Sequence, residues 1–151
     1  KLAQLAALIA NGGTLVRPHL IHGVEADGGP IPAALPSGDS TGIHIELSSS
    51  ALANVRAAME AVVSDPHGTG YAAKVDSVRV AGKTGTAQNP HGNDHALFIC
   101  FAPVEHPRIA MAVLLENAGH GSTAAAPLAQ KVLQEFFHPA AAESLRVVAS
   151  R

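Results

Sequence analysis

Aromatic side chains are scarce in this sequence: one Tyr, four Phe and no Trp among 151 residues. Its core must therefore be built largely from Ala, Val, Leu and Ile. Cysteine occurs once, which excludes an internal disulfide framework and a four-cysteine zinc site. Ten Lys plus Arg stand against twelve Asp plus Glu, for a net charge of -2. No basic field exists to hold a phosphate backbone, so no nucleic-acid partner is expected. No apolar run approaches the roughly 20 residues that a membrane-spanning helix needs. Leu2–Ala10 has the composition of a signal-peptide apolar region. However, Gln4 interrupts it, no basic stretch precedes it, and Asn11-Gly12-Gly13 reads as a helix stop. Disorder is excluded too, because hydrophobic residues make up 47% and charged residues only 15%. The length suits one domain or part of one. Opening on Lys1, in the middle of a helical pattern, it is expected to be a piece of something longer.

Periodicity organises the chain. Leu2, Leu5, Leu8 and Ile9 recur at helical spacing and predict a helix over Lys1–Ala10. Thr14–Val24 reads as extended, since the Arg17-Pro18 step disfavours helix. Asp27–Gly42 holds four glycines and three prolines outside any periodic pattern, and reads as a loop. A second helix should be capped by Ser48, Ser49 or Ser50, with Leu52, Val55, Met59 and Val62 on one face. Val78–Gln88, Ala96–Ala102 and Ile109–Glu116 read as strands, the last two joined by a connection short enough for an antiparallel hairpin. A last helix is expected from about Ser122 to Phe137, packing through Leu128, Val132 and Phe136, with Leu133 and Phe137 widening that face. Residues 138–151 should be a frayed tail. The class is α+β: an antiparallel sheet of about three strands packed by a C-terminal helix, with helices and a long loop before it.

Several short patterns look chemical and fail on context. Gly38-Asp39-Ser40-Thr41-Gly42 matches the nucleophile elbow, which needs a strand before the Ser and a helix after it. Here a Pro-rich loop precedes it and strand-like alternation follows. Gly82-Lys83-Thr84 matches the end of a phosphate-binding loop, but Ser77 stands where the first Gly belongs and a strand intervenes. His91 and His95 are spaced to share a metal only on a helix, and Asn89-Pro90-His91-Gly92-Asn93 is a turn sequence. No metal or other cofactor is expected. Cys100, inside Leu97-Phe98-Ile99-Cys100-Phe101, reads as a small buried hydrophobe.

Lys83-Thr84-Gly85-Thr86 remains. A strand can aim a cation and a hydroxyl at a carboxylate, while glycine lets a ligand approach the backbone. By itself the run suits a solvated turn equally well. Its surroundings add more. LAALIANGGTLVRPHL (Leu5–Leu20), SDPHGTGYA (Ser64–Ala72), VRVAGKTGTAQN (Val78–Asn89), DHALFICFAP (Asp94–Pro103) and PRIAMAVLLENAGHGSTAAAPL (Pro107–Leu128) occur in this order. They resemble the C-terminal part of the transpeptidase domain of class B penicillin-binding proteins, most closely the elongation-type penicillin-binding protein 2. Such enzymes pair K-T-G with S-x-x-K and a Ser-centred third motif. Neither S-x-x-K nor S-x-N is present here.

The resemblance implies that residues 1–137 are the C-terminal portion of a peptidoglycan D,D-transpeptidase domain, a serine-type enzyme acylated by β-lactams. Lys83 would supply positive charge, Thr84 would bond the substrate carboxylate, and Gly85 would leave room for the ligand. The Thr86 backbone N–H would be one oxyanion-hole donor. Implied partners are peptidoglycan stem peptides, β-lactams, the remaining part of the transpeptidase domain and the cell-wall elongation machinery. The implied location is the periplasmic side of the cytoplasmic membrane, reached through an N-terminal anchor not among these residues. Without a nucleophile the piece alone should be inactive. Two other readings remain: a non-catalytic transpeptidase-like binding module, and a serine β-lactamase or β-lactam sensor.

Overall fold

The computed structural model describes residues 1–18, 24–26, 29–31 and 42–139. Its first element is α1, Leu2–Ala10, which buries Ala6 and Ala10. Short pairings follow: β1 (Thr14–Leu15) lies antiparallel to β4 (Ile43–His44), and β2 (Val24–Ala26) to β3 (Gly29–Ile31). β3 falls inside the segment expected to be all loop. Asp27-Gly28, the dipeptide between β2 and β3, is itself a hairpin signal, and the surrounding Gly and Pro content obscures it. The rest of the expected loop, and residues 140–151 of the expected tail, lie outside the described residues.

α2 spans Ser49–Ser64, with Ser48 as the N-cap accepting from the Ala51 N–H at 3.4 Å. Its inner face differs from the expected one. Met59 and Val63 are buried, while Val55 is 44% exposed. Met59 packs with Phe101 on one face of the sheet and Val63 with Phe98 on the other. The helix therefore crosses the sheet margin, and among the described residues its buried side chains come from its C-terminal half. Arg56, on the same helix, donates to the carbonyls of Ala10 and Val104, with its guanidinium 5.5 Å from the centre of the Phe101 ring. That side chain ties the end of α1 to the segment after the central strand.

The sheet has the order β5 (Ala81–Ala87), β6 (His95–Ala102), β7 (Ile109–Leu115), antiparallel throughout. All three expected strands form, the first starting at Ala81 rather than Val78. Alternation along the strands sorts side chains onto two faces. Ala96, Phe98, Cys100 and Ala102 join Val63, Ala126, Ala129 and Leu133 in one core cluster. Phe101, with Ile99 and Ala110, meets Ala10, Ile9 and Met59 in the other. The sheet is thus covered on both faces, by α1 on one and by the terminal helix on the other.

That terminal helix, α3, spans Ala126–Phe137 with Pro127 in its first turn, where the missing donor costs least. A π-helical turn, Gly121–Ala125, leads into it. It packs on the sheet as expected, but its inner face is rotated: Leu133 and Phe137, expected at the margin of that face, point inward, while the expected central series does not. Ala126, Ala129 and Leu133 are buried, whereas Leu128, Val132 and Phe136 are 39%, 43% and 43% exposed. Alanine at two contact positions lets the helix backbone approach the sheet closely. This turns the bulkier i, i+4, i+8 series outward.

Candidate active site

Among the described residues β5 pairs only with β6. Along its other margin every second backbone N–H and C=O stands outside the ladder, an arrangement that can receive an extended ligand. Lys83, Thr84, Gly85 and Thr86 all lie on this strand, so the structure brings the expected residues together on one open edge. Lys83 and Thr86 are exposed, and Thr84 and Gly85 are half-buried. In register, Lys83 faces Ile99, Thr84 faces Phe98, Gly85 faces Leu97 and Thr86 faces Ala96. Lys83 and Thr84 therefore leave the strand on opposite faces. The Lys83 ammonium reaches back and donates to the Thr84 carbonyl. Among the described residues no carboxylate lies within ion-pair distance of Lys83; the ion pairs present are those of Arg79 with Glu60 and Glu105. The Glu60 bond and charge raise the Arg79 pKa. A cation without an acidic partner can accept an incoming anion without first losing an ion pair.

Two residues not singled out by the sequence shape this strand. Thr69, from the turn after α2, has its Oγ1 2.8 Å from Thr84 Oγ1. Gly68-Thr69-Gly70 lies within the family-like run Ser64–Ala72, but its reach across to β5 carries no local signal. Gly121 lies against the β5 backbone. A Cβ there would stand 2.3 Å from the Leu97 oxygen and 2.5 Å from the Gly85 oxygen, so only glycine fits.

Beyond Thr86 the strand end is held by polar bonds between two connections. Asn89 Nδ2 donates to Asn117 Oδ1 at 2.7 Å, and the Asn117 N–H donates to His95 Nδ1 at 3.1 Å. The Gly119 N–H donates to the Asp94 carbonyl at 2.8 Å. Asn117 adopts φ 55°, the left-handed region that asparagine tolerates better than most residues. His95 thus takes part in loop anchoring, while His91 sits in the turn and gives its N–H to Asn89 Oδ1 at 3.0 Å. Among the described residues no group of three or more His, Cys, Asp or Glu is placed to hold a metal ion. Cys100 is fully buried, and desolvation pushes its thiol up to about 12. A thiol so held is no nucleophile near neutral pH. Gly38-Asp39-Ser40-Thr41 lies outside the described residues.

Residues 1–134 match the penicillin binding protein transpeptidase domain family. Among curated proteins, the peptidoglycan D,D-transpeptidase MrdA of Haemophilus influenzae is 34% identical over 157 residues, covering 91% of this chain and 23% of the relative. The D,D-transpeptidase domain of an Eggerthella lenta peptidoglycan glycosyltransferase superposes with a TM-score of 0.74 at 32% identity. It covers 89% of this chain and 30% of its own. Penicillin-binding protein A of M. tuberculosis, solved as an imipenem acyl-enzyme, gives a TM-score of 0.67 at 31% identity, with 89% and 29% covered. The chain therefore spans about a quarter of the length of the curated relative it matches. With the family match extending from α1 into α3, this chain belongs to the penicillin-binding protein transpeptidase family.

Proposed function

We propose that residues 1–137 serve as the C-terminal portion of a peptidoglycan D,D-transpeptidase, and that β5 is the wall of its active site that binds carboxylate. The observation that carries this reading is the placement of Lys83-Thr84-Gly85-Thr86 on an open edge strand, with no acidic partner for Lys83 among the described residues. In the proposed reaction a serine hydroxyl attacks the D-Ala-D-Ala carbonyl of a stem peptide, D-Ala leaves, and a neighbouring stem amine takes the acyl group from the ester. Thr84 holds the terminal carboxylate, Lys83 supplies positive charge from the other face of the same edge, and Gly85 gives the ligand room beside the strand. The Thr86 backbone N–H meets the oxygen on which charge develops; one such donor can be worth roughly 10²–10³ in kcat.

No Ser in these 151 residues has Lys three positions on. The nucleophile and its base are therefore assigned to the remaining part of the transpeptidase domain, the first partner of this chain. On α3 the exposed Val132 and Phe136 line one shallow pocket, an apolar surface that such a partner could cover. Stem peptides are the proposed substrates and β-lactams the proposed inhibitors, in line with the transpeptidase and imipenem acyl-enzyme among the similar proteins. The same proposal sets this reaction in cell-wall elongation, on the periplasmic side of the membrane.

The test is acylation by a fluorescent penicillin. The complete protein carrying this segment should be labelled, and Lys83→Ala should slow labelling about ten- to a hundredfold, the loss of one charge-assisted bond. The 151-residue chain alone should take no label. Unchanged labelling of the Lys83 variant, or a covalent adduct on a Ser of this chain, overturns the reading. A complete protein that binds peptidoglycan but is never acylated would favour the non-catalytic module.

A further inference from the structure

We infer that Thr69 is a positioning residue for Thr84, setting the direction in which the Thr84 hydroxyl points its proton. This inference rests on the proposed role of Thr84 as a carboxylate ligand. The two hydroxyl oxygens are 2.8 Å apart and either could donate. A hydroxyl carries one proton and two acceptor sites. If Thr84 donated to Thr69, it would have no proton left for a carboxylate. Donation from Thr69 to Thr84 leaves the Thr84 proton free and polarises it toward an incoming anion, as bonds in a chain strengthen one another.

The turn that carries Thr69 is held rigidly enough for this task. The His67 N–H donates to Asp65 Oδ1 at 2.8 Å, the Gly68 N–H to the Asp65 carbonyl at 2.8 Å, and the Gly70 N–H to the Val62 carbonyl at 3.0 Å. A Cβ on Gly68 would stand 2.2 Å from the Val62 oxygen, so the backbone there is pressed against the end of α2. Gly70 in turn lies over Phe98, the register partner of Thr84. Thr69 is therefore presented to β5 from a turn seated on the same side chain that Thr84 faces.

The experiment measures second-order acylation of the complete transpeptidase by benzylpenicillin and by its methyl ester, in which the carboxylate is blocked. Thr69→Val should slow benzylpenicillin roughly two- to tenfold, the scale of one neutral hydrogen bond. It should leave the ester rate unchanged. Thr69→Ser should restore wild-type behaviour, and Thr69→Val should add nothing in a Thr84→Val background. Equal slowing of both ligands by Thr69→Val, or full additivity in the double variant, would reduce Thr69 to a structural contact. So would an unaffected Thr69→Val enzyme in which Thr84→Val alone is slow. Should Thr84→Val itself leave benzylpenicillin acylation unchanged, the carboxylate reading of β5 fails and this inference falls with it.

Discussion

β6 and β5 are hydrogen-bonded neighbours of eight and seven residues with opposite relations to solvent. β6 sits in the middle of the sheet, with Ala96, Phe98, Cys100, Phe101 and Ala102 all at zero exposure. β5 is buried only at its start, Ala81 and Gly82, and opens to solvent from Lys83 onward. Stability and the proposed chemistry are thereby divided between two strands about 5 Å apart. The central strand can change little without unfolding the layers on both its faces. The edge strand can carry a charge, two hydroxyls and a glycine because it is only partly covered there.

The most severe test of this division is Phe98→Ala. Emptying a fully buried site beneath Thr84 and Gly82 should cost about 3–5 kcal/mol in urea unfolding. A loss below 1 kcal/mol would mean that β6 is not the stabilising strand. Next comes the helix above it. Leu133→Ala should cost about 2–5 kcal/mol, whereas Leu128→Ala, on the outward face, should stay within roughly 1 kcal/mol. The reverse order would restore the face expected from periodicity.

Cys100 offers a pH test of the same burial. Its thiol is held protonated in the fold, up to about 12, against 9.0 for a free thiol. In the unfolded chain it ionises above about pH 9, so the unfolded state then binds fewer protons and stability falls as pH rises. The loss should run at about 1.4 kcal/mol per pH unit between those two values. Urea midpoints from pH 8 to 10 should therefore drop more steeply for wild type than for Cys100→Ala. Parallel slopes would place the thiol in contact with water. The smallest stability effect is expected on β5: Lys83→Ala should shift the unfolding free energy by no more than about 0.5 kcal/mol while acylation falls. If stability and acylation fell together, Lys83 would be a structural residue.

Much of the fold was legible because its signals are local. Strand alternation, the short connection after β6, Ser48 ahead of an apolar helix and Pro127 in a first turn all act within a few residues. The site was legible for a similar reason, since Lys83 to Thr86 are consecutive. The readings that failed concern partners distant in sequence. Val55 shares an apolar stripe with Met59, yet it stands exposed. Leu128, Val132 and Phe136 form a better apolar series than Ala126, Ala129 and Leu133. Side-chain size marked the wrong centre of that face, although Leu133 at its margin was named, because close packing on a sheet can favour small residues over large ones.

The sequence by itself determined where the helices and sheet strands run, that the core is aliphatic, and that the cation, hydroxyls and glycine of the site share one strand. Those properties follow from backbone propensity and from alternation along a single segment. Only the tertiary structure decided that this strand is an edge, that α1 and α3 cover opposite faces, and that Thr69 meets Thr84 across fifteen positions. Each of these depends on which surfaces meet after the chain collapses. Packing and hydrogen bonding settle that jointly over residues far apart in sequence, so no local pattern records it.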